Sequence, residues 1–184
     1  MSYREPLAST ADYGIVKVGT GISVTNGVIS GSTGLLNYGF FSGNTPQTNP
    51  VANAINLVAL TVTGPANGVS IGGGNSLVVA NAGTYTKLFT MNVNKTSGGA
   101  STISIWLRYN GVDLVGSTQD LILTGALDTI FVSGNYTLDM AAGSNIQMCW
   151  SSADTTMQLL ELPARVGPVR PTCDCVKITL TRIS

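Results

Sequence analysis

The stretch AGTYTKLFTMNVNKTSGGASTISIWLRYNGVDLVGS, residues 82–117, decides the fold. In its first part Tyr85, Lys87, Phe89, Met91 and Val93 take every second position, with Thr84, Thr86, Leu88 and Thr90 between them. A period of two is a strand, because successive side chains leave a pleated backbone on opposite faces. In the second part Ile103, Ile105, Leu107 and Tyr109 fall on one face and Trp106 and Arg108 on the other. Asn110-Gly111 then supplies the residue pair that closes a tight hairpin into VDLVGS.

Working outward, the same chemistry recurs. TIFVSGNYTLDM (129–140) and SNIQMCWSS (144–152) alternate, the latter with Ile146, Met148 and Trp150 together, and AAG (141–143) is a tight connection between them. TMQLLEL (156–162), a proline-rich link PARVGPVRP (163–171) and a last strand CVKITLTRI (175–183) follow, with Val176, Ile178 and Leu180 on its core face. Toward the N-terminus, AINLVALTVT (54–63) is apolar on both alternating faces, with Val58, Leu60 and Val62 on one and Ile55, Leu57 and Ala59 on the other. It therefore reads as a strand buried on both sides. GPANG (64–68) reads as a turn, VSI as a brief strand, GGGN as a second turn and SLVV as the next strand. No segment keeps a helical period. Short strands with regular turn signals predict an all-β, two-sheet sandwich of jelly-roll type over residues 34–184.

Composition bears on what covers that sandwich. Of 184 residues, 43% are hydrophobic but only 10% charged, well under the roughly 25% of an ordinary soluble domain. Between Asp12 and Asp113 no acidic residue occurs, and Lys17, Lys87, Lys95 and Arg108 are the basic ones. Such a surface is built of Thr, Ser, Asn and Gly or is covered by another subunit, and a homotrimer is expected. Lys+Arg and Asp+Glu each number 9, so there is no basic field for phosphate backbones and nucleic acid is not an expected partner. The polar start MSYREPLAST and the lack of any apolar run near the ~20 residues of a membrane span predict no membrane partner and a soluble protein made in the cytosol.

Residues 13–32, YGIVKVGTGISVTNGVISGS, pose a different problem: a strand-like ribbon with too few large side chains to make its own core. Ile15, Val18, Ile22, Val24 and Val28 would lack partners in a lone ribbon, whereas three copies wound about one axis would bury them against each other. Residues 1–33 are therefore read as an attachment and trimerisation stalk. An ordinary hairpin folded onto its own domain is the alternative.

Two resemblances follow from these residues. The ordered series AGTYTKLFTMNV, ISIWLRYNGVDLVGS, YTLDMAAGSNIQMCW and a short terminal strand resembles the trimeric jelly rolls of the tumour necrosis factor and complement globular head type, including viral relatives. Tyr13, Gly14, Ile15, Val16, Lys17, Val18, Gly19, Gly21, Ile22, Val24, Gly27, Val28 and Ile29 resemble a signature of phage head-fibre and tail-fibre proteins, with isoleucine at 22 and 29 where leucine is usual. The second resemblance implies a structural virion protein, a capsid decoration or head fibre on the outer surface of the particle. Its attachment and trimer contacts would come from Tyr13, Ile15, Val16, Val18, Ile22, Val24 and Val28, and its partners would be itself and a major capsid or other virion protein. The alternative is a tail-fibre tip recognising a host surface glycan. A tip normally follows a long shaft, and none is seen here, so decoration is the preferred reading.

Reactive chemistry is sparse. The chain has 0 histidines, which removes Ser-His and Cys-His pairs and the commonest metal ligand. GTGISV (19–24) lacks the third glycine of a dinucleotide fingerprint, and GGGNS (72–76) lacks the ending of a phosphate loop. Asp113, Asp120, Asp128, Asp139 and Asp154 are the acids from which a glycosidase pair would have to come. Dispersed solvated acids explain them better. Cys149, Cys173 and Cys175 form no secreted disulfide framework and read as buried or edge thiols, with a metal or intersubunit sulfur site as the alternative. The expectation is no enzyme, cofactor or metal site. Asn94-Lys95-Thr96 and Asn135-Tyr136-Thr137 match the glycosylation sequon but lack a secretory signal to go with it. Trp106, Tyr109 and Tyr136 are the candidate glycan contacts, each equally readable as a sheet-face residue. Lys87, set among aromatics, should snorkel to the sandwich edge or meet a partner across a subunit contact, which makes Lys87 and Leu88 candidate interface residues.

Overall fold

The computed structural model describes residues 22–25, 28–31 and 36–184. The chain divides into two units, Met1–Leu35 and Leu36–Ser184. In the first, β1 (Ile22–Thr25) pairs antiparallel with β2 (Val28–Gly31), Ile22 opposite Gly31 and Thr25 opposite Val28. Ile22, Val24 and Val28 of the expected ribbon thus fall on a hairpin whose backbone pairing is defined. Tyr13, Ile15, Val16 and Val18 lie outside the described residues.

The second unit, the head, begins with β3 (Tyr38–Gly43), β4 (Gln47–Thr48), β5 (Asn56–Leu57), β6 (Val62–Asn67), β7 (Val69–Gly72) and β8 (Ser76–Val79). Next come β9 (Gly83–Lys95), β10 (Ser101–Tyr109), β11 (Val112–Asp113), β12 (Gln119–Leu123) and β13 (Thr129–Met140). It ends with β14 (Asn145–Ser152), β15 (Met157–Leu159), the small pair β16 (Arg165–Val166) and β17 (Val169–Arg170), and β18 (Val176–Arg182). No helix occurs among the described residues.

Eight of these strands define the topology. Taken in chain order as β3, β8, β9, β10, β12, β13, β14 and β18, the first pairs with the last, the second with the seventh, the third with the sixth and the fourth with the fifth, all antiparallel. That nested pairing is a jelly roll. One sheet runs β6-β3-β18-β9-β13, with β15 and then β4 continuing beside the last residues of β9. The other runs β7-β8-β14-β10-β12, with β5 at the end of β14 and β11 at the end of β10.

The core is what the alternation demands. Tyr85, Phe89, Met91 and Val93 of β9 and Val176, Ile178 and Leu180 of β18 are buried from one sheet. Ile103, Ile105 and Leu107 of β10 and Ile146, Met148 and Trp150 of β14 are buried from the other. Asn110 and Gly111 both have positive φ, 47° and 83°, as a two-residue hairpin turn requires. Close packing also fixes Gly134. A Cβ there would lie 2.4 Å from Phe89 Cε1, because the Phe89 ring lies against this glycine and stacks beside Tyr136 at 6.2 Å between centroids.

Two local expectations are corrected. Residues 54–63 are not one strand buried on both faces: Val58 and Leu60 enter the core, but Ile55 is 50% exposed. The segment crosses between the sheets, its Val58 N–H donating to Met148 O at 2.9 Å and its Thr61 N–H to Ser42 O at 2.9 Å. A crossing chain serves one interior, so only alternate apolar residues find it. GPANG is not a turn either, since Gly64–Asn67 belong to β6 and only Gly68 reverses the chain. Pro65 is tolerated because β6 is an edge strand, where a missing N–H costs no ladder bond.

Candidate functional site

Lys87 is the most unusual residue of the head. It sits on the inward side of β9 opposite Tyr136, is 1% exposed, and its Nζ has no hydrogen-bond partner among the described residues. Its Nζ lies over the Phe89 ring, 5.6 Å from the centroid. Burial holds its pKa well below the ordinary lysine value, with the Cys149 thiol pulling the other way. A cation–π contact offers at most about 2 kcal/mol, less than the several kcal/mol of burying an ammonium ion. Burial therefore disfavours the charged form of Lys87 in the folded head. The expectation that it snorkels or meets another subunit is corrected: it lies inside the protomer, whereas its neighbour Leu88 is 49% exposed on the opposite face.

That opposite face of the β9 sheet is the first candidate surface. Leu88, Tyr38 and Phe131 are its exposed large side chains. Phe40, Thr90, Thr179 and Lys177 join Leu88 around a depression of about 180 Å³. Thr86, Thr90, Thr179 and Asn135 supply uncharged polar groups around Leu88. Fixed charge is scarce here, with Lys177 on β18 and Asp139 on β13 as the ionisable groups of the face.

The second candidate surface is a shallow groove of about 470 Å³ on the outside of the other sheet, lined by Asn53, Ile55, Ser104, Trp106, Asp113 and Ser151 among others. Asp113 Oδ1 accepts both Trp106 Nε1–H and Arg108 Nε–H, each at 2.8 Å. These hydrogen bonds, from Arg108 first and Trp106 second, hold the Asp113 carboxyl below its usual value. The indole is thereby fixed at its edge while it lines the groove. Tyr109 and Tyr136 are not brought to Trp106. Both pack against the core margin, Tyr109 with its hydroxyl accepting Ala141 N–H at 3.2 Å and Tyr136 donating its own to Ser117 O at 2.8 Å. Of the three aromatics expected at a glycan site, Trp106 is the one in this groove.

The acids serve separate local duties. Asp120 accepts Ser104 Oγ–H at 2.6 Å, Asp139 accepts Thr84 Oγ1–H at 2.7 Å, and Asp128 accepts the Gly125 and Thr124 N–H groups at 2.6 and 3.1 Å. Asp154 forms an ion pair with Lys95, whose side chain is 2% exposed, and accepts Thr156 N–H at 2.8 Å. The Lys95 bond first, then those of Thr156, hold the Asp154 carboxyl far below its usual range. No two of these carboxylates share a partner among the described residues, and no group of three or more His, Cys, Asp or Glu there could hold a metal ion. Asn94 of the first sequon is buried, its Nδ2 donating to Asp128 O at 3.0 Å.

The three cysteines are free thiols in three environments. Cys149 and Cys175 are each 0% exposed, and burial pushes both thiols up. Cys173 is half-buried, with Lys177 Nζ 2.9 Å and Asn92 Nδ2 3.6 Å from its sulfur. Burial raises its pKa, but the Lys177 and Asn92 hydrogen bonds together with the Lys177 charge outweigh that and lower it. Sequence reasoning missed this pair and the Lys95–Asp154 pair. The four-residue spacing of Cys173 and Lys177 was the available signal for the first.

The strand order defines the head as an all-β jelly-roll sandwich. No family model and no curated protein matches the sequence. Among solved structures, that of the Eiger TNF from S. frugiperda is similar, at 14% identity, over 81% of this chain and 93% of that chain, with a TM-score of 0.49.

Proposed function

We infer that the protein is a homotrimeric structural component of a bacteriophage virion, a capsid decoration or head-fibre protein joined to the shell through residues 1–33. The observation that carries the reading is the fibre-type sequence of residues 13–29, which takes in β1 and the first residues of β2 in a unit distinct from the head. The low-charge face around Leu88 supports self-association, because copies with net charge +0 do not repel one another. Leu88, Tyr38 and Phe131 supply the apolar area for the contact. No step of catalysis is assigned to this chain.

The test is attachment. Head protein lacking residues 1–33 and the full chain are added to particles stripped of this protein, and bound copies are counted by gel densitometry and antibody labelling. The full chain should label the shell and the truncated one should not. Equal occupancy by both would assign attachment to the head and overturn the reading. A receptor-binding tip is the second reading, favoured by the Trp106 groove with its fixed indole, acid and hydroxyl groups. Labelling at the tail, with cell adsorption lost in Trp106→Ala, would decide for it.

A further inference from the structure

The Cys173–Lys177 pair carries chemistry that neither decoration nor trimer formation requires. Cys173 ends a connection that returns across the sheet from β15, bridged to Leu162 by N–H···O bonds of 2.8 and 2.9 Å in the two directions. Lys177 stands four residues on, on the face of β18 turned away from the core, where its neighbours Val176 and Ile178 point inward. These two fixed backbones bring Sγ and Nζ to 2.9 Å. Lys177 Nζ has no carboxylate partner among the described residues. Asn92 Nδ2 braces the same sulfur from β9 while also donating to Asp174 O at 3.0 Å. Both residues are partly exposed on the protomer, so a small oxidant reaches them there, whereas the sulfurs of Cys149 and Cys175 are sealed.

We propose that Cys173 and Lys177 form an oxidative cross-link in which one oxygen atom joins Sγ to Nζ, with dioxygen as the oxidant. The balance is complete: the S–H bond and one N–H bond break, and S–O and O–N bonds form. One oxygen atom enters the bridge, and the other leaves as water with the two hydrogens. Sulfur and nitrogen are each oxidised by two electrons, which together reduce the dioxygen. The 2.9 Å approach sets Sγ and Nζ together, and the Lys177 and Asn92 hydrogen bonds that lower the Cys173 pKa make it the sulfur that reacts. The link would tie the connection before β18 to β18 itself and would be reversed by a thiol reductant.

The experiment uses the full chain, purified anaerobically with reductant and then divided between anaerobic and air-saturated buffer. Trypsin cuts after Lys177 only while its amine is free. The air-exposed sample should therefore yield an uncut peptide, 166–182, heavier by one oxygen and lighter by two hydrogens, and dithiothreitol should restore the cut peptide. Cys173→Ser and Lys177→Arg should each abolish the species, circular dichroism confirming that both variants stay folded. Oxidation of Cys173 to its oxyacids with the Lys177 cut intact would overturn the proposal. So would the same mass change located on Cys175, or its survival in either variant.

Discussion

Replacing Lys87 by Met tests whether an amine can be buried without a partner, and at what cost. Methionine keeps the unbranched shape, so little cavity opens and the change removes mainly the Nζ group. A buried donor without an acceptor costs about 1–3 kcal/mol, so Lys87→Met should stabilise the head by about that amount at the alkaline end of the range, and by more at neutral pH, where keeping the proton off the buried amine adds to the cost. A domain of this size gains about 2–4 °C in Tm for each kcal/mol. The pH dependence is the sharper test. The unfolded chain holds a charged lysine up to the ordinary value of 10.5, while burial in the folded head moves the titration well below it. Between the two pKa values the unfolded state binds the extra proton, so the wild-type head gains stability as pH rises, by up to about 1.4 kcal/mol per pH unit. The Met variant lacks this component. Urea unfolding of both proteins from about pH 7 to about pH 10 should show the advantage of the variant shrinking as pH rises. A constant difference, or a variant less stable throughout, would refute an unpartnered amine whose charged form burial disfavours.

Other substitutions probe packing, the ion pair and assembly. Gly134→Ala places a methyl 2.4 Å from Phe89 Cε1 and should cost about 1–3 kcal/mol by overpacking; in a Phe89→Leu background thermal unfolding should show a much smaller loss. Asp154→Asn leaves Lys95, 2% exposed in its side chain, without its counter-ion and should cost about 3 kcal/mol in urea unfolding. Because the folded Asp154 carboxyl is held below its usual value of 3.8, the pair stabilises the head above that pH and the contribution fades as pH falls through the folded value, a component missing in the variant. Leu88→Asp should leave the head folded, since the side chain is 49% exposed, but light scattering should fall from a trimer to a protomer mass; an unchanged trimer would remove this face from the contact.

What the sequence made legible follows from how many faces each strand buries. β10 and the first half of β9 bury one face each, and the large apolar residues of β14 fall on one face, so alternation placed Tyr85, Ile103 and Trp150 inside, and the Asn110-Gly111 pair located a turn. Residues 54–63 misled because apolar residues occupy both alternating faces, and only the position of the two sheets in space shows that Ile55 faces out while Val58 faces in. Lys87 was ambiguous for a different reason: periodicity sent it inward, charge argued outward, and the structure follows the periodicity, with burial lowering the lysine pKa. Trp106 with Asp113 is seven residues apart along a hairpin and within reach of reading. Lys95 with Asp154 spans 59 residues, and only the paired β9 and β15 bring them together.

β18 is the last strand of the chain, yet it lies between β9 and β3 rather than at an edge. During synthesis the ribosome therefore releases every other strand of the head before the one that fills the slot between them. Until residues 176–182 emerge, β3 and β9 present two open backbone edges to each other and to neighbouring nascent chains. A chain cut short before Val176 has no means of closing its sheet, whatever the quality of the rest, and a tag added after Ser184 extends from a strand whose Arg182 N–H donates to Asn37 O, where the head begins. The slot between β3 and β9 is thus filled by the last of the head's strands to be made.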